Sequence, residues 1–167
     1  GEMDKAEAAF MAAKGLKDTD IVNNNLGAIA LKKGEVEAAK EAFTASGAAG
    51  PQVNCNLAIV NIIEEDNESA VNYFGSEASY NAALAKYLKG DDEGAWRMLA
   101  NLEMKGGLGY YMRAVIAANQ DKPEVALENL KLAVQNCGDP DWIKGYAKKD
   151  LELAKLWEED GFKAIVE

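Results

Sequence analysis

Small and bulky apolar residues four positions apart recur five times along the chain, as Ala6/Phe10, Ala39/Phe43, Ala70/Phe74, Ala95/Leu99 and Ala126/Leu130. That spacing puts both members of a pair on one face of an α-helix. Measured from either member, successive copies are separated by the same 33, 31, 25 and 31 residues. The pattern therefore predicts one helical unit used repeatedly. A unit of this size cannot bury its apolar face alone, so neighbours must stack into a continuous solenoid whose product is a long binding surface.

Between the pairs, turn residues recur in register. The second copy reads Asn25-Leu26-Gly27, Ala30, Gly34-Glu35-Val36, Ala39, Phe43, Ser46 and Pro51. The third has Asn56-Leu57-Ala58 before Ala70 and Phe74, and the 25-residue step after it implies a helix shortened to end near Gly75. The fourth has Asn81-Ala82-Ala83 and a turn at Lys89-Gly90-Asp91-Asp92. In the fifth, Tyr110, Ala114 and Ala117 precede a turn at Gln120-Asp121-Lys122-Pro123, where Pro123 suits a first helical turn because its missing N–H costs nothing there.

This order resembles the tetratricopeptide repeat, most closely in the second copy. The resemblance implies an all-α, right-handed superhelical α-solenoid of helix-turn-helix repeats in a single domain over 1–167. Within it we delimit a half repeat at 1–18, repeats at 20–50, 51–75, 76–105 and 107–139, and a capping helix with tail at 141–167. The capping segment carries Trp142, Ile143, Tyr146, Ala147, Leu151 and Ala154 on one face, and Lys148, Lys149, Glu152, Lys155, Glu158 and Glu159 on the other. Asp160-Gly161 is expected to end it, and Phe162, Ile165 and Val166 to fold back as an apolar latch. The tail is similar to the closing element of many such arrays. The whole stretch is similar to C-terminal repeat arrays of large cell-envelope proteins of Gram-negative bacteria, which implies a periplasmic or envelope location. The first copy lacks its leading helix, so we expect a fragment of a longer protein.

In this family the inner helix of each repeat lines a concave groove. Carried onto this chain, the lining positions are Asn24, Ala28 and Leu31; Cys55, Ile59 and Ile62; Tyr80, Leu84 and Tyr87; and Tyr111, Val115 and Ala118. Asn25, Asn56 and Asn81 share one slot, from which an amide can meet an extended peptide backbone. One branch of the family clamps a terminal carboxylate with Lys, Arg and Asn, but here only the Asn residues are present. The groove is instead apolar and aromatic, suited to a peptide or amphipathic helix. Ile59 and Ile62 fit a packed core equally well, whereas Tyr80, Tyr87 and Tyr111 are expected to stay partly exposed.

Composition narrows the function. The net charge of −10, from 28 acidic against 18 basic residues, repels a polyphosphate backbone, so no nucleic-acid partner is expected. Its acidic runs, Glu64-Glu65-Asp66, Asp91-Asp92-Glu93 and Glu158-Glu159-Asp160, fit solvated turns and lack the ligand spacing of a calcium loop. No apolar run reaches the roughly 18 residues of a membrane helix. Histidine is absent and Cys55 and Cys137 lie two repeats apart, beyond disulfide reach. Neither a metal site, a cofactor nor an enzyme is therefore expected. Gly106-Gly107-Leu108-Gly109 reads as an inter-repeat turn. The expected function is a non-catalytic scaffold that binds a peptide or partner protein. Alternatives are a small-ligand or glycan-binding module using Tyr80, Tyr111 and Trp96 as stacking surfaces, and a rigid spacer between domains.

Overall fold

The computed structural model describes residues 1–47, 50–102 and 106–167. The ends of the expected repeats 20–50 and 76–105 thus lie partly outside the described residues. Among the described residues there are helices and no strands. They form two compact units, Gly1–Glu77 and Ala78–Glu167.

The first unit contains α1 (Glu2–Leu16), α2 (Asp20–Lys33), α3 (Val36–Ala45), α4 (Pro51–Ile63) and α5 (Asn67–Phe74). Each helix packs on its neighbour in the chain, with α2 on α3 and α4 on α5 the most extensive pairings. Local chemistry sets the boundaries. The Thr19 hydroxyl accepts from the Val22 amide and opens α2, Pro51 opens α4, and the Asp66 carboxylate accepts from the Ser69 amide at the start of α5. As expected, α5 is short and closes on Gly75. The pairs Ala39/Phe43 and Ala70/Phe74 are buried with Ala30, Leu57 and Val60. The Phe43 ring lies so close to Gly27 that a Cβ there would stand 2.6 Å from two ring carbons. Helix α1 differs: none of its residues is buried, and Ala6 and Phe10 are partly buried. Its main neighbour among the described residues is α2, with Lys33 of α2 pairing to Asp4 and Glu7.

The second unit contains α6 (Tyr80–Leu88), α7 (Asp92–Asn101), α8 (Leu108–Asn119), α9 (Pro123–Asn136), α10 (Pro140–Ala147), a 3-10 helix (Leu151–Leu156) and α11 (Asp160–Val166). Ala95/Leu99 and Ala126/Leu130 are fully buried. Helix α8 forms the centre, with Tyr111, Met112 and the run Ala114 to Ala118 all buried. Gly107 opens it at a point where any Cβ would fall onto the Ala133 carbonyl oxygen and within 2.8 Å of Ile143. The glycine turn is thus required for close approach.

The capping segment departs from the single helix expected through Glu159. Helix α10 stops at Ala147, Asp150 is extended (φ −77, ψ 109), and the chain resumes as the 3-10 helix against α8. Asp150 causes the break. Its carboxylate accepts from the Glu152 amide at 3.1 Å and from the Tyr111 hydroxyl at 2.7 Å, which draws the chain onto α8. The Trp157 indole N–H then donates to the freed Ala147 carbonyl. Leu153 and Leu156 become the buried residues, while Leu151, expected on the apolar face, is 79% exposed. Asp160-Gly161 begins α11 rather than ending a helix, and α11 brings Phe162 and Val166 into the core as the latch.

The acidic runs sit at these junctions. Asp66, Asp91 and Glu159 each occupy the position just before a helix. Cys55 and Cys137 are free thiols, one in each unit. No described helix is long and apolar enough to cross a membrane.

Candidate functional site

Four segments of the second unit face one cavity of about 390 Å³. Helix α6 presents Tyr80, Leu84, Tyr87 and Leu88, and α8 presents Leu108, Tyr111, Met112 and Val115. Both sets follow the i, i+3 or i+4, i+7 spacing of one helical face. Trp142 and Tyr146, one turn apart on α10, complete the aromatic wall, and Asp150 and Glu152 close it from the 3-10 segment. Trp142 stacks on Tyr146 with ring centroids 5.5 Å apart and planes 12° from parallel. Tyr146 meets Tyr111 at 5.6 Å and 59°. Offset and tilted contacts of this kind suit the ring quadrupoles. Despite them, Trp142 and Tyr146 remain 53% and 52% exposed.

The polar atoms are organised as two anchored carboxylates. Tyr111 donates its hydroxyl to Asp150. Tyr87 donates to Glu152 at 3.1 Å, and the Asn119 amide lies 2.6 Å from both the Tyr87 oxygen and a Glu152 oxygen. Every one of these donors is neutral. Burial raises the pKa of the Tyr80 phenol. It pushes Tyr87 up to about 12, with the Glu152 charge adding to the effect. Tyr111 is raised further, first by burial and then by its bond to Asp150 and that residue's charge. The phenols therefore stay protonated as hydrogen-bond donors.

Of the residues expected to line a groove, Tyr80, Leu84, Tyr87, Tyr111 and Val115 come together here. Tyr111, expected to be partly exposed, is only 7% accessible because the break at Asp150 lays the capping segment over it. Asn81 is exposed on α6 and does not line the cavity. Asn24, Asn25, Asn56 and Ile59 belong to the first unit. There Asn56 donates its amide to the Asn24 side-chain oxygen at 3.0 Å, tying α2 to α4, while Asn25 and Ile59 are half-buried. Trp96 is absent from the cavity wall; it packs in the core of the second unit with the Arg113 guanidinium 4.6 Å over its ring.

The sequence reading missed Leu88, Leu108, Met112, Trp142, Tyr146, Asp150 and Glu152. Trp142 and Tyr146 carried a signal, two aromatics one turn apart. Asp150 and Glu152 carried none, because their neighbours in space lie 39 and 65 residues away in sequence.

A larger cavity of about 650 Å³ lies among α9, α10 and α11, lined by Leu127, Lys131, Val134, Lys144 and Ile165 among others. Its described lining carries Glu128, Lys131, Gln135 and Lys144 but none of the aromatic rings that wall the other site. No group of histidine, cysteine or carboxylate side chains suited to a metal occurs among the described residues. No family model matches the chain, and no curated protein matches it.

Proposed function

We propose that this chain is a tetratricopeptide-like, right-handed repeat module with a non-catalytic role, holding a segment of a partner protein in the aromatic cup of its second unit. One observation carries the reading. Five of the side chains that the family resemblance puts in a groove, spread over two helices, converge on one cavity that a third helix finishes with exposed aromatic rings. Aromatic walls supply large contact area at small entropy cost, and stacked rings are already arranged before a ligand arrives. Protonated phenols and one neutral amide hold the Asp150 and Glu152 carboxylates in fixed positions on the wall of the cup.

Peptide display against the folded chain tests this, with a counter-screen on Leu84→Trp, which fills the cup. Selected peptides are expected to lose affinity for the filled variant and to shift amide resonances of residues 80–88, 108–119 and 140–152. Peptides indifferent to the filling would place the binding site elsewhere and refute the reading.

A further inference from the structure

Among the described residues, the two carboxylates are the only charged groups in the lining of the cup. Neither Asp150 nor Glu152 takes part in an ion pair among the described residues, whereas some acidic side chains near other helix ends do. Glu64 pairs with Lys40, Asp91 with Lys86 and Asp121 with Lys155. The donors that hold Asp150 and Glu152 are hydroxyls, an amide and a backbone N–H, so the oxygens are positioned but their charge is not neutralised. Nor does the chain at large compensate, at a net −10. Around these charges stand the rings of Tyr80, Tyr87, Tyr111, Trp142 and Tyr146. Aromatic faces attract cations, and the aliphatic stems of lysine and arginine lie well against apolar walls. The volume corresponds to roughly a dozen waters at about 30 Å³ each, room for one long side chain and an apolar neighbour.

We infer that the cup takes a lysine or arginine side chain of the partner segment, flanked by apolar residues, with its cation at Asp150 and Glu152. The inference rests on the binding function proposed above and adds the chemistry of what is bound.

The test uses capped pentapeptides Ac-Ala-Leu-X-Leu-Ala-NH2 with X lysine, arginine, norleucine or glutamate, titrated into the intact chain and followed through the Trp142 indole and Tyr146 ring resonances. The lysine and arginine peptides are expected to bind at least about tenfold tighter than norleucine, or about 1.4 kcal/mol. Glutamate should be weaker still, and added salt should narrow the gap. Glu152→Gln, which keeps an acceptor for Tyr87, should shrink the lysine-to-norleucine ratio several-fold. The comparison among peptides is made on the unaltered protein and does not depend on that variant folding. Equal binding of lysine and norleucine peptides overturns the inference while leaving the aromatic cup a peptide site. Tetramethylammonium chloride binding as tightly as the lysine peptide overturns it in favour of a small cationic ligand. If neither these peptides nor any selected by display move the cup resonances, the proposed function falls as well.

Discussion

Replacing Gly27 by alanine sets two opposing terms against each other, and the structure decides the sign. In the middle of a helix, alanine is favoured over glycine by about 1 kcal/mol, and Gly27 lies well inside α2. Against this, the new Cβ would stand 2.6 Å from Cδ1 and Cε1 of Phe43 and 3.0 Å from Cζ, where carbon contacts are comfortable at about 3.5–4.0 Å. The ring must therefore retreat by about 1 Å. Phe43 is 1% exposed and enclosed by Ala39, Leu57 and Val60, so it has nowhere to go without moving α3. Overpacking of this kind costs about 1–3 kcal/mol, and the size of the overlap places Gly27→Ala in the upper half of that range. The net expectation is a loss of about 1–2 kcal/mol. For a unit of 60–100 residues each kcal/mol lowers Tm by about 4–8 °C. Urea and thermal unfolding followed by circular dichroism read this directly. A double-mutant cycle sharpens it: in a Phe43→Leu background the ring atoms are gone, so adding Gly27→Ala should become neutral or stabilising. A stabilised Gly27→Ala single variant, or the same loss in both backgrounds, would refute the argument from close approach.

Leu99 and Leu16 provide a second contrast, since the former is 1% and the latter 90% exposed. Leu99→Ala should cost about 2–5 kcal/mol, Leu16→Ala less than about 0.5 kcal/mol, and chemical denaturation midpoints will separate them. The raised pKa of Tyr87 makes a pH prediction. Because the folded state holds the phenol's proton more tightly, its contribution to stability is complete below about pH 10, where an unfolded tyrosine titrates, and is lost as pH rises through about 12. Tyr87→Phe should remove that part of the alkaline decline, seen as a smaller drop in denaturation midpoint across this window than in the unaltered protein. An identical decline in both would show that Tyr87 titrates as if unfolded.

Much of the helical frame was legible in the chain. Ala39/Phe43, Ala70/Phe74, Ala95/Leu99 and Ala126/Leu130 proved to be core because a small and a large residue one turn apart report a helix face, and a face repeated in register must be covered. The shortened α5 followed from one irregular spacing. The five cup residues on α6 and α8 were named through the resemblance to the tetratricopeptide repeat, whose groove positions fall on one face of each of these helices. Ala6/Phe10 shows the limit of such reading, since an identical pair stays only partly buried on α1, whose main packing partner is α2.

The closing segment was decided elsewhere. Its alternation of apolar and charged residues suits a continuous helix, yet the chain turns at Asp150 and buries Leu153 and Leu156 in place of Leu151. A hydrogen bond from Tyr111, 39 residues earlier, holds Asp150 at this turn, and no local pattern encodes a partner that distant. The same turn places Asp150 and Glu152 in the cup and lays the aromatic ladder of α10 beside Tyr111. Helix identity, period and inward faces thus came from short-range periodicity, which any stretch of a dozen residues displays. The charge, depth and walls of the cup came from contacts between remote segments, which exist only once the helices have packed.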